Sequence, residues 1–130
     1  MAKGHRSQIK KARNIEQRDN RPKACAKYVR VTPTKASIVL KQIRGKDVIT
    51  ARALLTYSPR YAASVAVKVL NSAIANAENN LGMDIAKLYV EEAFAGDGPI
   101  LKRIRPRAQG RAFRIEKKMS HISVILNEKR

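Results

Sequence analysis

The stretch of this sequence that the rest of the fold has to support is Gly98-Pro-Ile-Leu-Lys-Arg-Ile-Arg-Pro-Arg-Ala-Gln-Gly-Arg-Ala-Phe113. It carries five Lys or Arg side chains and no Asp or Glu. Pro99 and Pro106 lack the backbone N–H that a helix or a central strand needs. Because strand-like segments lie on both sides, the stretch is predicted to be the outer end of a long β-hairpin that lies against a polyanion. The alternative is a solvated charged loop.

The flanking segments set the size of this hairpin. β-branched and aromatic residues return after Asp84 and continue to Leu126 on the far side. If the two arms pair around their midpoint at Arg105, each has about 20 residues and a length of about 65 Å. The remaining structured residues form a body only about 25 to 30 Å across, so most of the hairpin is expected to extend beyond it and to be mobile until bound. The glycines positioned to bend this ribbon are Gly96, Gly98 and Gly110.

Residues 24–82 predict a strand followed by three helices. Residues 24–31 are short and β-prone, and apolar residues then recur at helical spacing. The helices are predicted at about 33–43, 47–56 and 59–80. The predicted fold class is α+β, with three helices packed on a small antiparallel sheet and a long protruding β-hairpin.

Local signals support these helix boundaries. Thr32-Pro33 and Ser58-Pro59 each combine a capping side chain with a proline suited to the first helical turn, and Asp47 is a third cap. Gly45 and Gly82 are the predicted stops. The buried stripe of the longest helix is predicted to be Ala62, Val65, Ala66, Val69, Ala73 and Ala77.

Residues 1–23 differ from the rest in composition. Eight cations stand against Glu16 and Asp19, and Ile9 and Ile15 are the sole branched apolar residues. This composition predicts a basic N-terminal arm that is disordered when unbound; a solvated tail without a role is the alternative. Residues 24–130 are then a single domain, with the hairpin at about 84–126 and its tip at about 98–113.

The composition limits the classes of partner. A formal net charge of +18 over 130 residues favours nucleic acid. No apolar run is long enough to span a membrane and no secretory signal opens the chain, so no membrane partner and a cytoplasmic location are expected. Cys25 is the only cysteine, which excludes an internal disulfide and a Cys-based zinc site. No metal or cofactor is expected.

The sequence shows no arrangement of side chains that is typical of a catalytic site. Glu91 and Glu92 are adjacent, so on a regular strand they point to opposite faces and cannot pair as acid and base. His121 has no carboxylate or cysteine at a spacing that would let it act as a general base. Cys25 is interpreted as a small buried filler of the core. Gly96-Asp97-Gly98 is interpreted as a turn or bulge. No enzyme and no small-molecule substrate are predicted.

The cations suit recognition of an RNA backbone. Guanidinium groups contact phosphates bidentately, and each neutralised phosphate releases counterions. Aromatic residues are sparse near the tip, where Phe113 is the only one, so base stacking is expected to be minor. The candidate RNA-binding residues are Lys35, Arg44, Lys46, Lys102, Arg103, Arg105, Arg107, Arg111, Arg114, Lys117, Lys118 and His121.

Several blocks resemble a known family over about residues 24–126. They are Thr32-Pro-Thr-Lys-Ala36, Ile43-Arg-Gly-Lys46, Asn71-Ser-Ala-Ile-Ala-Asn-Ala-Glu-Asn79 and residues 98–112, with Lys102, Arg107-Ala108, Gly110-Arg111, His121-Ile122 and Val124 as the most specific positions. This pattern is similar to the ribosomal protein L twenty-two family of the large ribosomal subunit, in its bacterial form.

The resemblance implies a small body on the ribosomal surface and a hairpin that threads between segments of large-subunit ribosomal RNA. The tip is then part of the wall of the nascent-peptide exit tunnel, opposite the extended loop of large-subunit protein four, where it meets the nascent polypeptide. The resemblance places Leu101, Lys102 and Arg103 in the segment whose deletion relieves macrolide inhibition in the family. The implied tunnel-tip residues are Leu101, Lys102, Arg103, Ile104, Arg105, Gln109 and Arg111.

The sequence departs from the family in two places. The arm before Ala24 is longer than the usual start, so the family implies no role for it. Arg105 stands where other members often have an uncharged residue, which makes the implied tunnel wall more cationic.

Two other functions are compatible with parts of the pattern. An architectural DNA-binding protein carries a proline at the tip of β-ribbon arms that wrap a minor groove, and Pro106 lies within an arginine-rich loop. That interpretation leaves the alanine-striped helix and the block at His121 unexplained. An enzyme acting on RNA is the third hypothesis and requires turnover that depends on His121 or Glu91.

Overall fold

The order of helices and strands follows the predicted order, with one added helix at the start. The computed structural model describes residues 3–17 and 19–129, with side chains from Ser7 onward. Within those residues the fold is α+β, which confirms the predicted class. Its elements are α1 (Lys3–Glu16), β1 (Lys23–Val29), α2 (Pro33–Ile43), α3 (Val48–Tyr57), α4 (Tyr61–Leu81), β2 (Leu88–Pro106) and β3 (Ala112–Glu128), with short 3-10 turns at Ile85–Lys87 and Ala108–Gly110.

β3 is the central strand of an antiparallel sheet whose order is β1-β3-β2. β1 pairs with β3 from Lys23↔Ile125 to Val29↔Ser120, and beyond Ser120 only β2 continues alongside β3. β2 is therefore an edge strand, which explains how it accommodates two prolines. Pro99 lies in a register shift between Asp97 and Ile100, and Pro106 is the last residue of the strand.

The core lies between one face of the sheet and the helices. Leu88, Val90, Ile122, Val124 and Leu126 are fully buried on that face. The predicted stripe of α4 is buried there too, apart from Val65, which is partly exposed, and Ala63 and Leu70 join it. Alternation along β1 turns Ala24 and Ala26 toward the core and leaves Cys25 exposed, where it accepts a hydrogen bond from Ser123 Oγ at 3.2 Å. The interpretation of Cys25 as a buried filler is wrong.

The hairpin is long, as predicted, but its apex is Gln109 rather than Arg105. β2 has 19 residues and β3 has 17, because register shifts at Val90/Glu92 and Asp97/Ile100 each place an extra residue in β2. Every residue from Pro99 to Lys118 is exposed. About half of the hairpin, rather than most of it, therefore extends beyond the core.

Three helix starts differ in detail from the capping signals. α4 begins at Tyr61, and Ser58 instead closes α3, with its N–H donated to Leu55 O. α2 and α3 begin where predicted, yet neither Thr32 nor Asp47 makes a side-chain capping bond. Asp47 forms an ion pair with Lys129 instead.

α1 is an element that the sequence pattern does not predict, because its apolar residues are too few to mark a buried face. The body also begins earlier than Ala24: β1 starts at Lys23, Pro22 is buried, and Leu126 N–H donates to Pro22 O at 2.9 Å. Met1, Ala2 and Arg18 of the predicted arm, and Arg130 of the predicted domain, lie outside the described residues.

Candidate nucleic-acid interface

The outer hairpin carries cations on both of its faces. Residues 99–118 contain eight Lys or Arg side chains and one acid, Glu116. Paired residues of an antiparallel ribbon share a face, and successive pairs alternate between the two faces. One face holds the pairs Leu101↔Lys117, Arg103↔Ile115 and Arg105↔Phe113, and the other holds Ile100↔Lys118, Lys102↔Glu116 and Ile104↔Arg114. Each face therefore presents three cations, so an anionic partner can contact the ribbon from both sides.

Two further arginines close the turn at the tip. Arg107 N–H donates to Arg111 O at 2.8 Å, and the Arg107 guanidinium carbon lies 5.7 Å from the centre of the Phe113 ring. Gln109 and Gly110 adopt positive φ angles of 60° and 67°, which make the chain reverse direction. The backbones of both arginines therefore lie next to each other at the turn.

The predicted tunnel-tip residues divide between apex and strand. Gln109 and Arg111 lie at the turn. Leu101 to Arg105 lie along β2, where Lys102 is four residues before Pro106, or about 13 Å of extended strand. Pro106 ends a strand and is not at the apex, unlike the tip proline that the DNA-binding alternative requires.

A second group of cations lies at the root of the hairpin. Lys35, Lys117 and Lys118 line a hollow of about 340 Å³ together with Arg30 and the exposed Tyr61. Arg30 also donates from Nη1 to Lys118 O at 2.8 Å, which fixes the loop after β1 against β3. The candidate set omits Arg30, because its place beside the hairpin depends on how β1 pairs with β3.

Arg44 and Lys46 lie apart from both groups. Gly45 N–H donates to Val90 O at 2.7 Å, and Val90 N–H donates to Lys46 O at 2.9 Å, which places this turn at the end of the sheet away from the hairpin tip. Arg44 donates from Nη2 to Ala93 O at 2.6 Å, so part of its guanidinium is already used within the fold. Lys46 is exposed.

His121 fills a bulge in β1. Lys27 and Tyr28 both oppose it, since Ala26 pairs with Ile122 and Val29 with Ser120. Tyr28 has a φ of 58°, its N–H donates to His121 Nδ1 at 3.0 Å, and its ring meets the imidazole edge-on at 5.0 Å. The imidazole therefore has a structural role, and only Nε2 remains available to another partner.

A cluster of three carboxylates and one guanidinium joins the N-terminal segment to the edge of the sheet. Arg21 Nη1 donates to Glu91 Oε2 at 2.8 Å and to Glu92 Oε1 at 3.0 Å, while Nη2 donates to Asp19 Oδ2 at 2.9 Å. The register shift after Val90 brings both glutamates within reach of the same arginine, so the expectation that they point to opposite faces is wrong.

The charges within this cluster shift one another's protonation. Side-chain and then backbone hydrogen bonds from Arg21 lower the pKa of Asp19 to about 2. Hydrogen bonds to Asp19, Glu91 and Glu92 raise the pKa of the Arg21 guanidinium above its ordinary range. Both shifts favour the charged forms, so the cluster has a structural role rather than a role in proton transfer. This cluster of Asp19, Arg21, Glu91 and Glu92 is called the Arg21 clip below.

Two further kinds of site do not occur in the part of the chain that the structure describes. None of its helices combines the length and the apolar character needed to cross a bilayer. Over the same residues, no three His, Cys, Asp or Glu side chains are grouped so that they could hold a metal ion.

Comparison with known proteins identifies the family of this chain. Residues 24–127 match the family described as ribosomal protein L22p/L17e. The chain is 59% identical over 129 residues to the large ribosomal subunit protein uL22 of Lachnoclostridium phytofermentans, a match covering 99% of this chain and 100% of that protein. It is 60% identical over 129 residues to uL22 of Lachnospira eligens, with the same coverage. The uL22 of Clostridium acetobutylicum is 60% identical over 107 residues, which are 82% of this chain and 96% of that protein. The chain therefore belongs to the ribosomal protein L22p/L17e family of the large ribosomal subunit.

Proposed function

We propose that this chain is a structural, non-enzymatic component of the large ribosomal subunit that binds large-subunit ribosomal RNA through its hairpin. The observation that carries the proposal is the placement of three cations on each face of a ribbon that its own core does not cover. A patch on one face suits a flat polyanion, whereas cations on both faces suit RNA that surrounds the ribbon. Recognition is then by shape and phosphate contacts.

The root of the hairpin supplies the second part of this interface. Lys35, Lys117 and Lys118 converge there, and Arg30 joins them as an additional proposed contact. Tyr61 offers an exposed ring beside these cations, suited to stacking on an unpaired base. Arg44, Lys46 and His121 remain proposed contacts, with Arg44 and His121 each limited by the hydrogen bond that they already make.

The tip is proposed to form part of the wall of the nascent-peptide exit tunnel, opposite a loop of large-subunit protein four. Gln109 and Arg111 would meet the nascent polypeptide first, because they lie at the apex. Ile104 is 73% exposed on the ribbon just below and has no apolar partner in its own core, so it suits contact with a passing chain or with RNA bases. In this role the protein supports subunit assembly and translation in the cytoplasm.

Replacing Arg107 and Arg111 by Ala tests the hairpin interface. Removing one phosphate-binding side chain lowers the slope of log K against log salt by about 0.7 to 0.9, so the double variant is expected to lose about two units. The measurement is filter binding to protein-free ribosomal RNA of a bacterial large subunit between about 50 and 200 mM salt. A slope equal to that of the unaltered chain would remove both residues from the interface.

Duplex DNA as a competitor tests the architectural DNA-binding alternative in the same assay. Retention on ribosomal RNA in the presence of excess duplex supports the ribosomal role. Equal or tighter binding to the duplex would overturn it.

A further inference from the structure

α1 presents a second basic surface that the hairpin interface does not use. The helix spans Lys3–Glu16, and all of its described side chains, from Ser7 onward, are exposed. Lys10, Lys11 and Arg13 are among them, and Glu16 is the helix's only acid. Since none of the helix's described side chains is buried against the body, Lys10, Lys11 and Arg13 are free to face an external partner.

The arm leaves the sheet at the end opposite the hairpin tip. Lys23 pairs with Ile125, thirteen residues along β3 from Ala112 at the outer end of the strand. Thirteen residues of strand span about 40 Å. The Arg21 clip holds this exit point against Glu91 and Glu92 of β2. The N-terminal segment and the hairpin tip therefore lie at opposite ends of β3 where they join the sheet.

Relatives of this domain occur with little or no counterpart of α1. The family match begins at residue 24. The relative from Clostridium acetobutylicum uses 96% of its own length to match 82% of this chain, so almost none of its residues remain for an arm of this size. An element that the domain can omit, and that carries cations rather than an apolar face, has its role outside the domain.

We infer that α1 binds a second segment of ribosomal RNA, distinct from the segment around the hairpin, so that the chain bridges two RNA sites. This inference rests on the proposed ribosomal function. RNA fits better than a lipid surface, because the arm has no Phe, Tyr or Trp and only two isoleucines to insert into a bilayer. A 14-residue helix without packing is marginal in water, so RNA binding also stabilises its helical form, in keeping with an arm disordered when unbound.

Three variants of the full chain test this inference. The first replaces Lys10, Lys11 and Arg13 by Ala and removes charge; the second, Ala12→Pro, keeps every charge and breaks the helix. The matched control replaces Gln8 and Asn14 by Ala on the same helix. Each is measured for the salt slope of binding to protein-free ribosomal RNA of a bacterial large subunit, and for hydroxyl-radical protection of that RNA.

The charge variant is expected to lose about two to three units of slope and a patch of protection that the Arg107→Ala, Arg111→Ala variant retains. Ala12→Pro is expected to weaken protection of the same patch, and the control to match the unaltered chain. Full slope and full protection in the charge variant would overturn the inference while leaving the hairpin function intact. If the charge variant and the Arg107→Ala, Arg111→Ala variant both kept the salt slope of the unaltered chain, the proposed function itself would be overturned. Charge-dependent sedimentation with phosphatidylglycerol vesicles, with RNA protection unchanged, would assign the arm to a membrane surface and also overturn the inference.

Discussion

Ser120 is the only polar side chain that the core buries among the described residues, and its Oγ has no hydrogen-bond partner there. A buried hydroxyl without a partner loses its hydration and gains nothing in return. Ser120→Ala is therefore expected to raise the free energy of unfolding by up to about 1 kcal/mol, measured by urea denaturation. Ser123→Ala is the control, because Ser123 Oγ does have a partner in Cys25 Sγ. A loss of stability in Ser120→Ala larger than that in Ser123→Ala would mean that the Ser120 hydroxyl is bonded.

Asp19 gives the Arg21 clip a defined pH dependence. Its folded pKa of about 2 lies below the ordinary value of 3.8, so the carboxylate stabilises the fold above about pH 4, and this stabilisation is lost as the pH falls toward 2. In urea denaturation, Asp19→Asn should be less stable than the unaltered chain at pH 7, and the gap should close between pH 4 and 2. The gap should be small and shrink with salt, since the side chains are about one third exposed. A gap that persists at pH 2 would contradict this account.

Single residues are where sequence reasoning was least complete. Helical spacing located most of the α4 stripe, because a regular repeat determines which side chains face the core. The roles of Glu91, Glu92 and His121 depend on β-bulges, which leave no periodic signal in the sequence. The strand alternation predicts the exposure of Cys25, because Ala24 and Ala26 on either side of it face the core. The general tendency of cysteine to be buried points the other way and is misleading at this position.

At the scale of elements, two glycines near the hairpin root differ in the space around them. A side chain at Gly98 would be closely packed against β3, whereas a side chain at Gly96 would be in open space. A Cβ on Gly98 would lie 3.1 Å from the backbone C and O of Met119, whereas a Cβ on Gly96 would meet nothing within 4 Å. Gly96→Ala is expected to stabilise by about 0.5 kcal/mol through the unfolded chain. Gly98→Ala is expected to destabilise by about 1 kcal/mol, because backbone atoms cannot move aside as a side-chain end can. Urea denaturation of the pair checks this; equal effects would show that the bulge opens easily.

The hairpin also shows what an element-level prediction can capture. Composition and proline placement predicted the ribbon, its cationic outer half and its uncovered end. The position of the apex was wrong by four residues. Three of them come from the assumed ends, since the strands pair from Leu88↔Glu128 rather than from residues 84 and 126, and one comes from the two bulges, which give β2 two more residues than β3. α1 was missed since a helix without a buried face has no apolar periodicity to detect.

For the whole molecule, the division between a self-sufficient body and an externally supported ribbon can be tested by shortening the ribbon. Deleting Leu101–Arg103 removes exposed residues that make no contribution to the core. The melting temperature of the isolated chain is therefore expected to change by less than about 3 °C, measured by circular dichroism. Val124→Ala creates a cavity at the fully buried face of β3, and it should lower the melting temperature several times more than the deletion does.

The same deletion should nevertheless alter RNA recognition. Three is an odd number, and strand side chains alternate with a period of two, so restoring the pairing exchanges the faces of Ile104 and Arg105 relative to the body. Protection of ribosomal RNA near the ribbon is expected to shift, while protection at the root, by Lys35 and Lys118, stays in place. A melting temperature lowered as far as that of Val124→Ala would show that the ribbon packs on its own body. The two ends of the molecule would then depend on each other, and recognition by an inserted finger would be the wrong description.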